Sequence, residues 1–158
     1  MARAREITDL DCEAPFARAA ARVIEVRADE LFEHSRGVLD TGDIERVHDM
    51  RVATRRLRAA MEVFEDCFPA KRWRKALKRV KELADLLGER RDRDVAVEFL
   101  GGLAGEIHGP DADRLAFLIG DLRKEQREAN ERLVPAVAEK RLAKLRRRLD
   151  RLVEAAAG

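Results

Sequence analysis

Apolar residues recur at helical spacing along most of this chain, and no stretch alternates apolar and polar residues over the length of a strand. Residues 70–87 show the pattern clearly, since one side of the helix they predict is apolar: Trp73, Ala76, Leu77, Val80, Leu83, Ala84 and Leu87. Gly88 follows and is expected to end that helix. Residues 44–68 form another one-sided stretch, which Pro69 is expected to end.

The rest of the chain fits the same fold class. Residues 89–94 predict a loop, and residues 95–103 a short helix. Ala, Leu, Arg, Glu and Lys, which favour helices, dominate the composition. The sequence therefore predicts an all-α fold, an up-and-down bundle of four long helices plus one short helix, as a single domain over residues 14–156. Residues 1–13 are expected to be a partly ordered N-terminal tail.

Charge is unevenly distributed along the 158 residues, although the net charge is only +2. Residues 1–43 hold 6 basic and 10 acidic side chains, residues 44–91 hold 14 basic and 8 acidic, and residues 92–158 hold 13 of each. The middle of the chain is therefore electropositive. This pattern indicates local anion binding rather than the globally basic profile of a small DNA-binding protein.

Two cysteines, Cys12 and Cys67, are far apart and lack the spacing of metal ligands. They are interpreted as reduced thiols, which are typical of the cytoplasm. No apolar run approaches the roughly 20 residues that a membrane span needs, and no signal-peptide pattern is evident. We therefore expect a soluble cytoplasmic protein that does not enter a membrane.

A first basic strip follows one side of the helix predicted over residues 44–68. It consists of residues at i, i+3, i+7 and i+10, namely His48, Arg51, Arg55 and Arg58. Asp49, the one acid within this stretch, falls off the strip. The opposite side, which can pack into a core, carries Met50, Leu57, Met61 and Phe64.

A second basic strip, of similar spacing, follows the next predicted helix and consists of Lys71, Arg74, Lys75 and Lys78, with Lys81 one turn later. No acid occurs from residue 71 to residue 81. Like charges three or four residues apart destabilise a helix by about 0.2–0.5 kcal/mol per pair, so stability alone would favour mixed signs. Anion binding and a solvated or internally paired surface both remain open. Each strip spans about 15 Å, and two adjacent strips could line a groove for extended polyphosphate or a nucleic-acid backbone.

Catalytic chemistry is poorly supported. The chain has no glycine-rich phosphate loop, and its histidines, His34, His48 and His108, lack metal-ligand spacing. Asp92 and Asp94 are interpreted as helix caps that pair with Arg90 or Arg91, rather than as a metal pair. We predict no catalytic residue, no metal site and no cofactor.

Two motifs give the chain a family resemblance. Residues 47–58, Val-His-Asp-Met-Arg-Val-Ala-Thr-Arg-Arg-Leu-Arg, resemble the first motif of the CHAD family, the histidine-containing α-helical domain. Residues 86–95, Leu-Leu-Gly-Glu-Arg-Arg-Asp-Arg-Asp-Val, resemble its second motif. The resemblance implies a helical, non-catalytic domain that binds inorganic polyphosphate through a basic surface or channel. It also implies a link to polyphosphate granules and to triphosphate-tunnel (CYTH) enzymes.

Carried over to this sequence, the resemblance gives a polyphosphate-binding set of His48, Arg51, Arg55, Arg58, Lys71, Arg74, Lys75 and Lys78. Weaker candidates are Arg56, Lys81, Arg91, Lys144 and Arg148. The family domain has two similar helical halves, whereas this sequence resembles one. We therefore expect a homodimer in which the basic helices of both chains face a shared groove. The alternative is that the sequence is a truncation.

Two other functions remain as alternatives. Nucleic-acid binding through the phosphate backbone is possible, but aromatic residues form only 4% of the chain and none interleaves the basic strips, which argues against base stacking. The other alternative is an enzyme, for example a phosphatase, or an accessory subunit of an enzyme that metabolises polyphosphate or triphosphate.

Overall fold

The computed structural model describes residues 3–11 and 13–157, and helices account for most of them. Five α-helices follow one another: α1 (Phe16–Glu33), α2 (Ile44–Val63), α3 (Ala70–Leu103), α4 (Pro110–Val137) and α5 (Glu139–Ala157). A short 3-10 helix, Glu65–Cys67, leads from α2 into α3. The described residues contain no strand, so the predicted all-α bundle is confirmed.

The core lies between α1, α2, α3 and α5, which pack in a ring in that order. Each helix supplies residues at helical spacing that are fully or almost fully buried: Ile24 and Leu31 of α1, Met50 and Leu57 of α2, Val80 and Leu87 of α3, and Leu149 and Leu152 of α5. The remaining helix, α4, packs along the second half of α3 and against the start of α5. Within the described residues, no helix is both long and apolar enough to cross a membrane.

The division of helices around Gly88 differs from the prediction. Gly88 does not end a helix, because it lies inside α3, which is 34 residues long in total. The predicted loop and the predicted short helix both belong to α3. A glycine inside a helix costs about 1 kcal/mol relative to alanine. Buried contacts on both sides of Gly88, at Leu83, Leu87 and Arg90, oppose that local preference. The described part of the chain has five long helices, one more than predicted, and the predicted short helix is the end of α3.

The N-terminal tail lies along α1 where it is described. The guanidinium of Arg22 donates a hydrogen bond to Asp9 at 2.9 Å, and that of Arg27 donates to the carbonyl of Arg5 at 3.0 Å. The two cysteines were expected to be reduced. Cys67 is a free thiol, and Cys12 lies outside the described residues.

Candidate functional site

Contacts between α2 and α3 fix how the two basic strips lie relative to each other. Near the end of α2, Glu62 lies 3.2 Å from the ammonium of Lys81. Near the start of α2, the carbonyl of Ile44 accepts a hydrogen bond from Arg91 at 3.1 Å. The order of these contacts makes the two helices antiparallel, so residues that precede Lys81 on α3 lie beyond Glu62.

The first basic strip lies along α2 on the side away from the core. Its Arg55 is exposed, and its other three members are half-buried. Among the described residues, the side chains of His48, Arg51 and Arg55 make no ion pair or hydrogen bond. The opposite side of α2 packs inward as predicted, since Met50, Leu57 and Met61 are fully buried and Phe64 is half-buried against the core.

Arg51 of α2 lies close to Gly88 of α3. A Cβ atom placed on Gly88 would lie 3.8 Å from Nε of Arg51, which is the distance of ordinary van der Waals contact. The guanidinium therefore lies over bare helix backbone rather than over a side chain. A small side chain fits at this position, whereas a large one would meet Arg51.

Glu62 neutralises part of the positive charge where the two strips meet. Its carboxylate lies 3.1 Å from Nε of Arg58 and 3.2 Å from Nζ of Lys81. The hydrogen bond from Arg58, followed by that from Lys81, lowers the pKa of Glu62 below its ordinary value. Arg51 and Arg55 consequently carry the uncompensated charge of the first strip.

The second basic strip continues the first end to end rather than facing it across a groove. Its four members are exposed and have no side-chain ion pair among the described residues. Because α3 runs antiparallel to α2, they lie alongside the end of α2 and the 3-10 helix. Trp73, in the middle of this segment, donates a hydrogen bond to the carbonyl of Met61 at 3.1 Å. At 1.5 Å per residue, the two strips together span about 30 Å.

Lys75 is displaced from the other members of the second strip. Its carbonyl accepts a hydrogen bond from Arg148 of α5 at 3.5 Å, and its side chain lines a depression between α3 and α5. The depression also includes Arg72, Arg148 and Arg151. Lys75 therefore lies at the edge of α3 that faces α5, apart from the other three members of the strip. The spacing of residues 71–81 did not predict this division.

The weaker candidates are in three different environments. Arg91 is only 14% exposed and holds the start of α2 through Ile44 and Glu45. Arg56 is half-buried, and its side chain is not free of partners. Lys81 forms an ion pair with Glu62. The other two, Lys144 and Arg148, lie on α5 and line a cavity between α3, α4 and α5 rather than the α2 side of the bundle.

The second motif contains a buried polar network that sequence reasoning missed in part. Asp94 was expected to cap a helix with Asp92, but both lie inside α3 and cap nothing. The Asp94 carboxylate instead lies 3.0 Å from Arg90, the predicted partner, and accepts a hydrogen bond from Gln126 at 2.6 Å. Burial raises the pKa of Asp94 above its ordinary value, against the opposing effects of Gln126 and Arg90.

Asn130 extends this network to the loop between α1 and α2. Its Oδ1 accepts a hydrogen bond from Arg90 at 2.8 Å, and its Nδ2 donates one to the carbonyl of Leu39 at 3.0 Å. The sequence did contain a pattern that could have predicted this network. Arg90 and Asp94 are four residues apart on the apolar side of α3, and so are Gln126 and Asn130 on the apolar side of α4. The network fixes α4 against α3 and supports the start of α2, which carries the first basic strip.

The first turn of α2 brings together side chains of the type that bind metals. Ligand atoms of Glu45, His48 and Asp49 lie within 4.8 Å of one another, a combination that the spacing of the histidines alone did not suggest. Glu45 also lies 3.5 Å from Arg91, so a cation would compete with a guanidinium for that carboxylate. We assign no metal to this cluster.

Comparison with known proteins identifies the family. No curated protein and no solved structure matches the chain at a significant level. The family model described as CHAD domain matches residues 22–158, a range that contains both basic strips and the Arg90–Asp94 network. The motifs at residues 47–58 and 86–95 had predicted this match. The chain therefore belongs to the CHAD domain family.

Proposed function

We propose that this protein binds inorganic polyphosphate without catalysing its turnover. The observation that carries the proposal is the line of cations from Arg51 to Lys71, in which five side chains have no ion pair among the described residues: Arg51, Arg55, Lys71, Arg74 and Lys78. A run of about 30 Å matches an extended polyanion better than a single phosphate group. Arginine forks can bind phosphate oxygens bidentately, and the lysines add point charge. The family membership supports the same ligand.

A salt titration with charge-reversal variants tests this proposal. Each phosphate neutralised on a single-stranded polyanion contributes about −0.7 to the slope of log affinity against log salt, so five contacts give a slope on the order of −3.5. Arg55→Glu and Lys75→Glu should weaken binding of long-chain polyphosphate, with the larger effect at Arg55. Arg123→Glu, an equal change at an exposed position on α4, is the control. If Arg55→Glu binds as tightly as the wild type and Arg123→Glu, the assigned site is wrong.

Homodimerisation is the second part of the proposal. The end of α3 (residues 95–103) and the start of α4 (residues 110–122) run past the start of α2, and we call this the α3–α4 arm. Large apolar residues of the arm are exposed, Phe99 by 66%, Phe117 by 74%, and Val95 and Leu118 by almost half. Exposed apolar surface of this kind marks interaction sites. A second copy that covers the arm would bring two sets of basic strips into one particle.

Light scattering at micromolar concentration tests the dimer. Wild-type protein should have the mass of two chains, and Phe99→Asp together with Phe117→Asp should reduce it to one. Val63→Asp is the control, because Val63 is 74% exposed on α2, away from the arm. A monomeric wild type would refute dimerisation but would leave polyphosphate binding to the titration above.

Two alternatives make different predictions. A nucleic-acid-binding protein that uses only phosphate contacts should bind duplex DNA as well as polyphosphate at equal phosphate concentration, whereas we expect polyphosphate to win the competition. An enzyme should release phosphate continuously from polyphosphate with Mg²⁺, and we expect no sustained release. Association with CYTH-type triphosphate enzymes, and a place in the cytoplasm or on polyphosphate granules, belong to the same proposal.

A further inference from the structure

A cavity of about 170 Å³ lies between α3, the end of α4 and α5, on the other edge of α3 from the first basic strip. Its rim carries five cations, Arg79, Arg132, Arg141, Lys144 and Arg148, and a single acid, Glu82. Its floor is apolar and includes Leu83, Leu86 and Leu145. A cationic rim above an apolar floor distinguishes this cavity from the basic strips.

Carboxylates neutralise only part of the positive charge at the rim of the cavity. Arg79 lies 2.6 Å from Glu82, and Arg132 lies 3.3 Å from Glu89. The side chains of Arg141 and Lys144 make no ion pair or hydrogen bond among the described residues. Arg148 contacts only the carbonyl of Lys75, at 3.5 Å. Three cations on α5 are therefore without a carboxylate, so the rim favours an anion.

The floor indicates what else the anion carries. Leu83 and Leu145 are buried and Leu86 is half-buried, so they form a firm apolar surface. A cavity of about 150 Å³ lined by apolar side chains can hold benzene. This cavity is slightly larger and open at the rim, so it admits one ring of a fused aromatic group and leaves the second ring at the opening. Inorganic polyphosphate has no apolar part and would gain nothing from these leucines. The occupant should combine a flat apolar body with an anionic tail.

The neighbouring depression suggests a path for that tail. Arg148 lines both the cavity and the depression, where three further cations, Arg72, Lys75 and Arg151, outnumber the single acid Glu154. A tail that leaves the rim at Lys144 can therefore continue past Arg148 towards Arg151, which accommodates more than one phosphate. We propose that the cavity binds a nucleoside triphosphate, with the base on the leucine floor and the phosphates on the cations of α5. This site goes beyond the proposed polyphosphate function and lies away from the first basic strip, although the depression that would take its phosphates also contains Lys75 of the second strip.

Calorimetric titration with three probes tests the proposal. ATP combines a base with phosphates, adenosine lacks the phosphates, and inorganic tripolyphosphate lacks the base. We expect ATP to bind at least tenfold more tightly than either of the others. If tripolyphosphate competes for the ATP site as strongly as ATP itself, or if neither ATP nor GTP binds, the proposal is overturned.

Matched variants separate this site from the basic strips. Arg141→Glu should weaken ATP binding at least tenfold and leave binding of long-chain polyphosphate unchanged, whereas Arg55→Glu should weaken polyphosphate binding and leave ATP binding unchanged. Leu86→Gln should weaken ATP binding without changing the affinity for tripolyphosphate. Circular dichroism of each variant checks that the helices are intact. If Arg141→Glu lowers polyphosphate affinity but not ATP affinity, the cavity rim belongs to the polyphosphate site and the nucleotide proposal is wrong.

Discussion

The guanidinium of Arg90 lies 3.0 Å from the carboxylate of Asp94, and both side chains are completely shielded from solvent between α3 and α4. Removing charge from water is costly, so such a pair is stable only while each member keeps its partners. Gln126 and Asn130 supply the additional hydrogen bonds, at 2.6 and 2.8 Å. Residues 86–95 thus have a structural role in this chain, since their buried pair fixes α4 against α3 and is linked through Asn130 to the loop that leads into α2.

Asp94→Ala should lower the free energy of unfolding by about 3–5 kcal/mol, because it leaves the buried charge of Arg90 without a counter-charge. Urea unfolding followed by circular dichroism measures the change. The double variant Arg90→Leu, Asp94→Leu should be much closer to the wild type, since it removes both charges. Asp111→Ala is a surface control, because Asp111 and Arg114 are 76% and 82% exposed and such pairs contribute at most about 1 kcal/mol. Equal effects of Asp94→Ala and Asp111→Ala would contradict the structural role.

The same network shows how far the sequence alone could lead. The helical spacing of Met50, Leu57 and Met61, which are buried, predicted α2. It also predicted that the first basic strip lies on the opposite side of that helix. The partners of Arg90 and Asp94 lie 40 and 32 residues away on α4, and no local pattern connects them. Gly88 misled the prediction for the same reason, because packing from α2 and α4 overrides the local preference of a glycine.

The site was predicted in its parts but not in its arrangement. Periodicity identified both strips, but whether they face each other or continue end to end depends on the register of α2 against α3, which contacts such as Glu62–Lys81 set. The position of Lys75 depends on Arg148, which is 73 residues later in the chain. Such relations between distant segments could not be predicted from the spacing of residues within one helix.

Glu62 should make stability depend on pH. Arg58 and Lys81 hold the pKa of Glu62 below its ordinary value of 4.5, so the unfolded chain binds this proton more readily than the folded one. The resulting stabilisation is present above pH 4.5 and is lost as the pH falls towards the lowered pKa. Urea unfolding across this range should show a shallower acid-side loss in Glu62→Gln than in the wild type. Glu98→Gln, at an exposed position on α3, should retain the wild-type slope.

Glu62→Gln should also tighten the binding of long-chain polyphosphate, because it frees Arg58 and Lys81 to contact phosphates. Two further contacts would steepen the slope of log affinity against log salt by roughly 1.4. Titrations at two salt concentrations measure both effects, with Glu98→Gln again as the control. Unchanged affinity and slope in Glu62→Gln would mean that the ligand does not pass the junction of the two strips.

Substitutions at Gly88 should separate effects on the free energy of unfolding from effects on polyphosphate binding. A Cβ at Gly88 would lie at ordinary contact distance, 3.8 Å, from Nε of Arg51, and a Cβ at Gly120 of α4 would have no neighbour within 4 Å. Gly88→Ala and Gly120→Ala should therefore both raise the free energy of unfolding by about 0.5–1 kcal/mol, the preference of a helix for alanine.

Larger side chains at the two glycines should have different consequences for binding. Leucine at position 88 would extend into the space of Arg51 and displace its guanidinium, so Gly88→Leu should weaken polyphosphate binding and lower the salt slope by about 0.7, the loss of one phosphate contact. Gly120→Leu should leave both quantities unchanged, since Gly120 lies in the α3–α4 arm, away from both basic strips, and no described atom from the rest of the chain is within 4 Å of a Cβ there. Thermal unfolding and polyphosphate titration of the four variants separate the two effects. If Gly88→Leu binds polyphosphate like Gly120→Leu, the position of Arg51 over Gly88 does not matter for the ligand.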